Sequence, residues 1–295
     1  MMYRVSRDLV YCKGLKNILI SLLILFSLAS CSSKKEMSKS LNTDNEAEFY
    51  YTFLEANRLK ILGDYNTALK LYLQSLEIKP TSDGTMHEIA RINGALGNFD
   101  LAIKYAKMAV KQNPGNKFYY YTLADIYLDN QQIDQAIEVY ENIQKIDPEN
   151  QEVTFYLAML YKQNQKFNEA VNTLNKLEEK VGVNESISIN KQQIFLFQGN
   201  KTKAYDEINK LITNYPEEAK YYAILADMYT RDNLLLKAEE TLTILFQKDS
   251  LNPQGQITLI DFYRRKVDYD HVFLVVDIVL DNELVDFGSK VMVLY

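Results

Sequence analysis

The stretch FYYYTLADIYLDN (residues 118–130), followed by IDQAIEVYENIQK (residues 133–145) and then Pro148, decides how this chain folds. In the first segment Tyr120, Leu123, Ala124 and Tyr127 recur at helical spacing and share one face. In the second, Ala136, Tyr140 and Ile143 repeat that pattern. Pro148 closes the second helix, because proline has no N–H to give to an interior helix bond. The segment reads as two helices joined by a short turn.

Working outward, Ala136 belongs to a ladder. Ala68, Ala102, Ala136, Ala170, Ala204 and Ala238 stand at a constant spacing of 34, and Val272 takes the next slot. A fixed period of this length marks stacked repeats that share one continuous core. Other columns keep the same step. A first-helix column of small residues runs Ala56, Ala90, Ala124, Ala158, Gln192, Ala226 and Ile260. Three residues on come Leu59, Asn93, Tyr127, Tyr161, Phe195, Tyr229 and Tyr263. An apolar anchor precedes each ladder alanine (Tyr65, Phe99, Ile133, Phe167, Leu235), with Lys201 the exception. Pro80, Pro114, Pro148 and Pro216 close four units, and Gly182 and Ser250 take that slot in two others. Alanine suits the ladder because helices pack 8–10 Å apart according to what lies between them, and a methyl permits close approach.

These columns resemble the tetratricopeptide repeat over residues 49–280. The resemblance implies an all-α fold, an α-solenoid with a right-handed superhelix of about seven 34-residue helix-turn-helix repeats. The array is expected over 47–285 as one elongated domain, with 286–295 starting an eighth repeat or forming a truncated end. The last full helix, Val272 to Leu280, is apolar nearly all round apart from Asp277. Such a helix expects burial, so the chain is expected to continue in a longer protein or to self-associate through this end.

The N-terminal residues read separately. Arg4, Arg7, Lys13 and Lys16 precede an apolar run from Ile18 to Leu28, interrupted by Ser21 and Ser27. The run is too short for a bilayer core that needs about 20 residues, but suits a secretory signal. It ends in Leu28-Ala29-Ser30-Cys31, which resembles a bacterial lipobox. Residues 1–30 are therefore expected to be a lipoprotein signal peptide and Cys31 the lipidated residue. Residues 31–46 are polar without an apolar period and are expected to be a flexible tether with a reach of roughly 20–25 Å. The expected location is the bacterial cell envelope, lipid-anchored at the outer membrane.

Cys12 would leave with the signal, so the mature chain would have no pair of thiols for a disulfide. Losing residues 1–30 takes the formal charge from −6 to −9, since four bases and one acid depart. An acidic chain is not suited to broad nucleic-acid binding.

Catalysis needs convergent groups, and the pattern supplies few. His87 and His271 stand more than five repeats apart, and Glu178 and Glu179 read as a solvated helix end. No paired cysteines, His-x-x-x-His, phosphate loop or nucleophile elbow occurs. No enzyme activity, cofactor or metal is expected.

Binding is better supplied. In the family the first helices line a concave groove, which carries over to Tyr50, Phe53, Asn57 and Lys60, then His87 and Arg91. Phe118, Tyr121, Asp125 and Asp129 follow, then Phe155, Met159 and Lys162. Later units offer Gln193, Phe197, Asp227, Arg231, Asp261, Arg264 and Arg265. The run Phe118 to Tyr121 cannot lie in one buried stripe, since neighbours on a helix are about 100° apart. At least one of its rings should meet the groove or solvent, and the rings read either as an aromatic anchor for a peptide or as a cover over the next repeat's helix. Relatives that clamp a carboxylate tail present lysines and asparagines together. Here Asn57 and Lys60 meet Arg91, Asp125 and Asp129, so that ligand is not expected. The expected function is a non-catalytic scaffold binding a partner protein, in the manner of assembly or secretion machinery. The competing class is a glycan-binding nutrient-uptake lipoprotein, whose sugar sites sit on long insertions that this array lacks through six units.

Overall fold

The structure is a computed structural model that describes residues 44–294. The signal segment 1–30, the lipidation site Cys31 and the tether up to residue 43 lie outside the described residues. Among the described residues every regular element is a helix, and there are fifteen. They fall into two compact units, divided between Ile146 and Asp147.

In the first unit, α1 (44–61) pairs with α2 (Tyr65–Ile78), α3 (Asp83–Ala95) with α4 (Phe99–Gln112), and α5 (Lys117–Asp129) with α6 (Ile133–Ile146). The second unit pairs α7 (Gln151–Gln163) with α8 (Phe167–Val181), and α9 (Glu185–Phe197) with α10 (Lys201–Asn214). It continues with α11 (Ala219–Arg231) and α12 (Leu235–Lys248), then α13 (Pro253–Arg265) and α14 (Tyr269–Asp281), and ends on α15 (Phe287–Met292). The stretch that decides the fold forms α5 and α6 to within one residue of the sequence reading. Helix α1 reaches back to 44, so the last three residues assigned to the tether are helical.

The core obeys the ladder. All six ladder alanines are 0% exposed, so no side chain larger than a methyl stands between the paired helices there. The small-residue column is buried throughout, including the larger Gln192 and Ile260. In the aromatic column Asn93, Tyr127, Phe195 and Tyr229 are buried, whereas Leu59, Tyr161 and Tyr263 are only partly so.

Two further columns hold the register. Ser82, Asn116, Asn150, Asn184 and Asn252 sit just before five of the first helices, and each side chain accepts an N–H of the first turn. That bond satisfies one of the donors a helix start leaves open. Glu218, in the same slot before α11, makes no such bond. Asp286 holds the same slot before α15, so the eighth unit begins in step. Within the pairs, Gly63, Gly97, Gln131, Gln165, Gly199, Asn233 and Val267 all adopt positive φ. Around each, the chain closes a Schellman turn. In the third pair Gln131 N donates to the Leu128 carbonyl at 2.9 Å and Gln132 N to Tyr127 at 2.8 Å.

At the C-terminal end α14 buries Val272, Val275 and Val279 and leaves Phe273, Leu274 and Ile278 exposed. Helix α15 covers none of these three, and its own Phe287 and Met292 are also exposed.

Candidate functional site

In the first unit, side chains tie the three first helices together. Lys60 of α1 donates to the Glu88 carboxylate of α3 at 2.7 Å, and Arg91 reaches the same carboxylate at 3.4 Å. His87 Nε2 and Thr122 Oγ1, 2.8 Å apart, join α3 to α5. Between α3 and α5 lies a cleft of about 270 Å³ bordered by Arg91, Thr122, Asp125 and Asp129. Asp125 and Asp129 stand one turn apart, and although Asp125 is exposed as a residue, desolvation of its carboxyl followed by repulsion from Asp129 holds it above its ordinary range. Burial also holds the His87 imidazole below its ordinary value, against the opposing pull of Glu88.

The sequence-expected groove residues divide here. Tyr50, Arg91, Phe118 and Asp125 are exposed. Phe118, Tyr121, Asp125 and Asp129 follow one another at three- and four-residue steps along α5, so they form one stripe. Three others do not point clear of the second helices. The Phe53 ring stands edge-on to Tyr72 of α2 at 5.6 Å, and Asn57 accepts the Tyr72 hydroxyl at 2.8 Å while donating to the Phe53 carbonyl at 3.0 Å. Tyr121 meets Tyr140 of α6 edge-on, with ring centres 6.2 Å apart. The reason is size: a ring on the flank of a first helix reaches back over its own partner helix.

In the second unit Phe155 and Met159 of α7 are half-buried against Ala158, Leu174 and Leu177. Phe155 also borders an apolar cleft of about 400 Å³ with Tyr156, Val181 and Ile187. Lys162 donates to Asn190 at 2.8 Å and Gln193 at 2.7 Å, linking α7 to α9. Phe197 is exposed but leans on Phe167 of α8, and Asp227 accepts from Arg231 at 3.0 Å. Among the described residues no cluster of His, Cys, Asp and Glu could hold a metal ion, and no helix is long and apolar enough to cross a membrane.

The family model described as "Tetratricopeptide repeat" matches residues 94–146 and 127–187. Residues 94–187 are thus similar to tetratricopeptide repeats. Solved structures share the fold well beyond the matched residues. The C-terminal part of a TPR repeat-containing protein from Cytophaga hutchinsonii superposes with TM-score 0.55 at 15% identity, covering 82% of this chain and 99% of that one. A chain of the Naa15/Naa10 structure bound to HypK-THB gives TM-score 0.55 at 17% identity and covers 83% of this chain. The present chain spans only 39% of that longer one. No curated protein matches the sequence.

The repeats also carry polar links that the columns did not reveal. Tyr119, the one ring of the run Phe118 to Tyr121 that is buried, donates its hydroxyl to Asp83 at 3.0 Å. Tyr221 does the same to Glu185 at 3.1 Å, again 36 residues back. An acid at a first-helix start with a tyrosine 36 residues on was the available signal. A second correction concerns Glu178. Its neighbour Glu179 is exposed, but Glu178 pairs with Lys191 at 3.0 Å and Lys210 at 3.1 Å. Lys191 in turn meets Glu207 at 2.7 Å, with its own side chain 3% exposed, where α8, α9 and α10 pack together.

Proposed function

We propose that the protein is a non-catalytic scaffold that binds a partner protein along its first-helix face and is held at the bacterial outer membrane by lipid on Cys31. A tetratricopeptide scaffold is suited to protein–protein interaction, and the Naa15/Naa10 structure, which shares only the fold, has HypK-THB bound. The observation that carries the reading is the α5 stripe. Phe118 leaves 65% of its surface open at the start of the stripe, although large rings are normally withdrawn from water. Asp125 and Asp129 follow two and three turns on, and neither is ion-paired among the described residues. An exposed ring on one stripe with two carboxylates suits a partner segment that presents an apolar side chain and, about 10 Å or more further along, a lysine or arginine. The cation would offset the burial and the repulsion from Asp129 that together raise Asp125.

The test is a photo-reactive residue in place of Phe118, irradiated in the intact cell. A discrete protein adduct, lost when Asp125→Lys and Asp129→Lys are added, is expected. No adduct at Phe118 under conditions where the protein is abundant would remove the reading. Fatty-acid labelling that survives Cys31→Ala would remove the anchor but leave the scaffold.

A further inference from the structure

The repeat rules fail together in one place, the α9–α10 pair. Where other units hold Ile89, Leu123, Leu157, Leu225 and Leu259, this one holds Lys191. Gln192 replaces the column alanine, and Lys201 replaces the apolar anchor. Local rules that are broken in a folded chain point to sites with another purpose. At this place α8 and α10 flank a trough of about 680 Å³ whose floor is α9. That volume lies in the range of roughly 300–1,000 Å³ typical of ligand sites.

We propose that this trough binds an extended peptide segment through its backbone, at a second site separate from the first-helix face. The α8 wall carries Asn168, Asn172 and Asn175 at steps of four and three residues, hence on one face. Asn168 accepts from Gln198 at 3.5 Å, whereas Asn172 and Asn175 make no side-chain hydrogen bond among the described residues. A carboxamide offers a donor and an acceptor side by side, which is what a peptide group also presents. From Asn168 to Asn175 the wall extends about 10 Å at 1.5 Å per residue. An extended chain advances about 3.3 Å per residue, so about three residues fit.

Charge favours a neutral ligand. Lys191 on the floor and Lys210 on the α10 wall are matched by Glu178 and Glu207. On the α10 wall, Lys203 and Asp206 carry opposite formal charges that offset one another. Lys203 also distinguishes a peptide from a sugar. Its ammonium lies 5.4 Å over the Phe195 ring, and that ring is 8% exposed, so no open aromatic platform remains for a saccharide to stack on.

The experiment selects random heptapeptides on phage against the immobilised full-length chain and titrates the synthesised winners. The proteins compared are the wild type, Asn172→Ala/Asn175→Ala, and Lys162→Ala as a first-helix control. At least one peptide should bind the asparagine double variant about tenfold more weakly, the effect of losing two hydrogen bonds. It should bind Lys162→Ala normally and lose affinity when its backbone amides are methylated. Asn172 is exposed and Asn175 partly so, and an unchanged melting curve for the double variant will exclude misfolding as the cause. The proposal is overturned if no peptide is enriched, or if every enriched peptide is indifferent to the double variant. It is equally overturned if a glycan array finds saccharide binding that the double variant abolishes.

Discussion

Lys191 Nζ lies 2.7 Å from the Glu207 carboxylate, and the two side chains are 3% and 8% exposed. Glu178 at 3.0 Å shares the same ammonium, and Lys210 bridges both acids from the surface side. Removing one partner of a buried pair leaves an uncompensated charge and costs about 3–5 kcal/mol, whereas replacing both with apolar residues is often neutral. Glu207→Val should therefore lower unfolding stability toward that range, softened by the remaining contact with Glu178. Lys191→Leu/Glu207→Val, which installs the residue types of Leu157 and Val139, should recover most of the loss and leave Lys210 on Glu178. Urea unfolding of the two variants decides it. A double variant as unstable as Glu207→Val alone would show that the pair is not what holds α8, α9 and α10 in register.

The alanine ladder makes a steric prediction. Ala136 is 0% exposed where α5 meets α6, so Ala136→Leu should overpack and destabilise by roughly 1–3 kcal/mol. Tyr127 is 5% exposed, and Tyr127→Ala should cost about 3–5 kcal/mol. Denaturant midpoints measured at equal slope would test both. An Ala136→Leu variant as stable as wild type would mean that the helices can part without loss.

What the sequence made legible follows from which contacts are periodic. Ala136, Tyr127 and Pro148 are repeated because every unit has the same helix–helix contact and the same stop, so counting by 34 places them. The stripe of Phe118, Asp125 and Asp129 followed from the same register. Lys191, Gln192 and Glu178 were not legible, because their partners sit 13 to 36 residues away on neighbouring helices. Glu178 and Glu179 look alike in the chain, and only the packing of α9 against α8 tells the paired acid from the solvated one. Phe53 and Asn57 escaped for a related reason. Spacing gives the side of a helix, but not how far a ring or amide reaches around it toward Tyr72.

The left-handed turn column supports a stabilising substitution. Val267 has φ +59° and is 69% exposed, so a β-branched side chain pays for a conformation that glycine adopts freely at Gly97, with φ +75°. Left-handed geometry costs an ordinary residue about 1–2 kcal/mol. Val267→Gly should thus raise stability by about 1 kcal/mol, after the greater chain entropy of glycine is subtracted. Gly97→Ala should lower it by a similar amount, though nothing lies near enough to clash with the added methyl. Opposite shifts in melting temperature are expected. A fall on Val267→Gly would mean that the valine side chain contributes packing that its exposure does not suggest.

His87 gives the chain a pH dependence with a definite sign. Burial depresses its imidazole below the ordinary 6.5, while Glu88 and Asp83 pull it upward and Arg91 and Lys60 push it further down. Its Nε2 contact with Thr122 and the Tyr119 ring 4.8 Å away hold it in place between α3 and α5. Because the folded value is the lower one, the unfolded chain binds the proton first as pH falls. The neutral imidazole therefore contributes fully above 6.5, and that contribution is lost as pH drops from there through the folded value. The acids that the fold holds below their ordinary range, Asp83, Glu178 and Asp232, titrate below this window. Asp125 and Asp227, held above theirs chiefly by burial, act in the opposite sense at its acid end, so the comparison with a His87 variant isolates the histidine. Between about pH 5 and 7 the wild type should lose stability on acidification, and His87→Gln, which keeps a polar group toward Thr122, should flatten that slope. Melting temperatures of the two proteins across the window measure the difference. Equal slopes would show that the His87 site accepts the imidazolium as readily as water does.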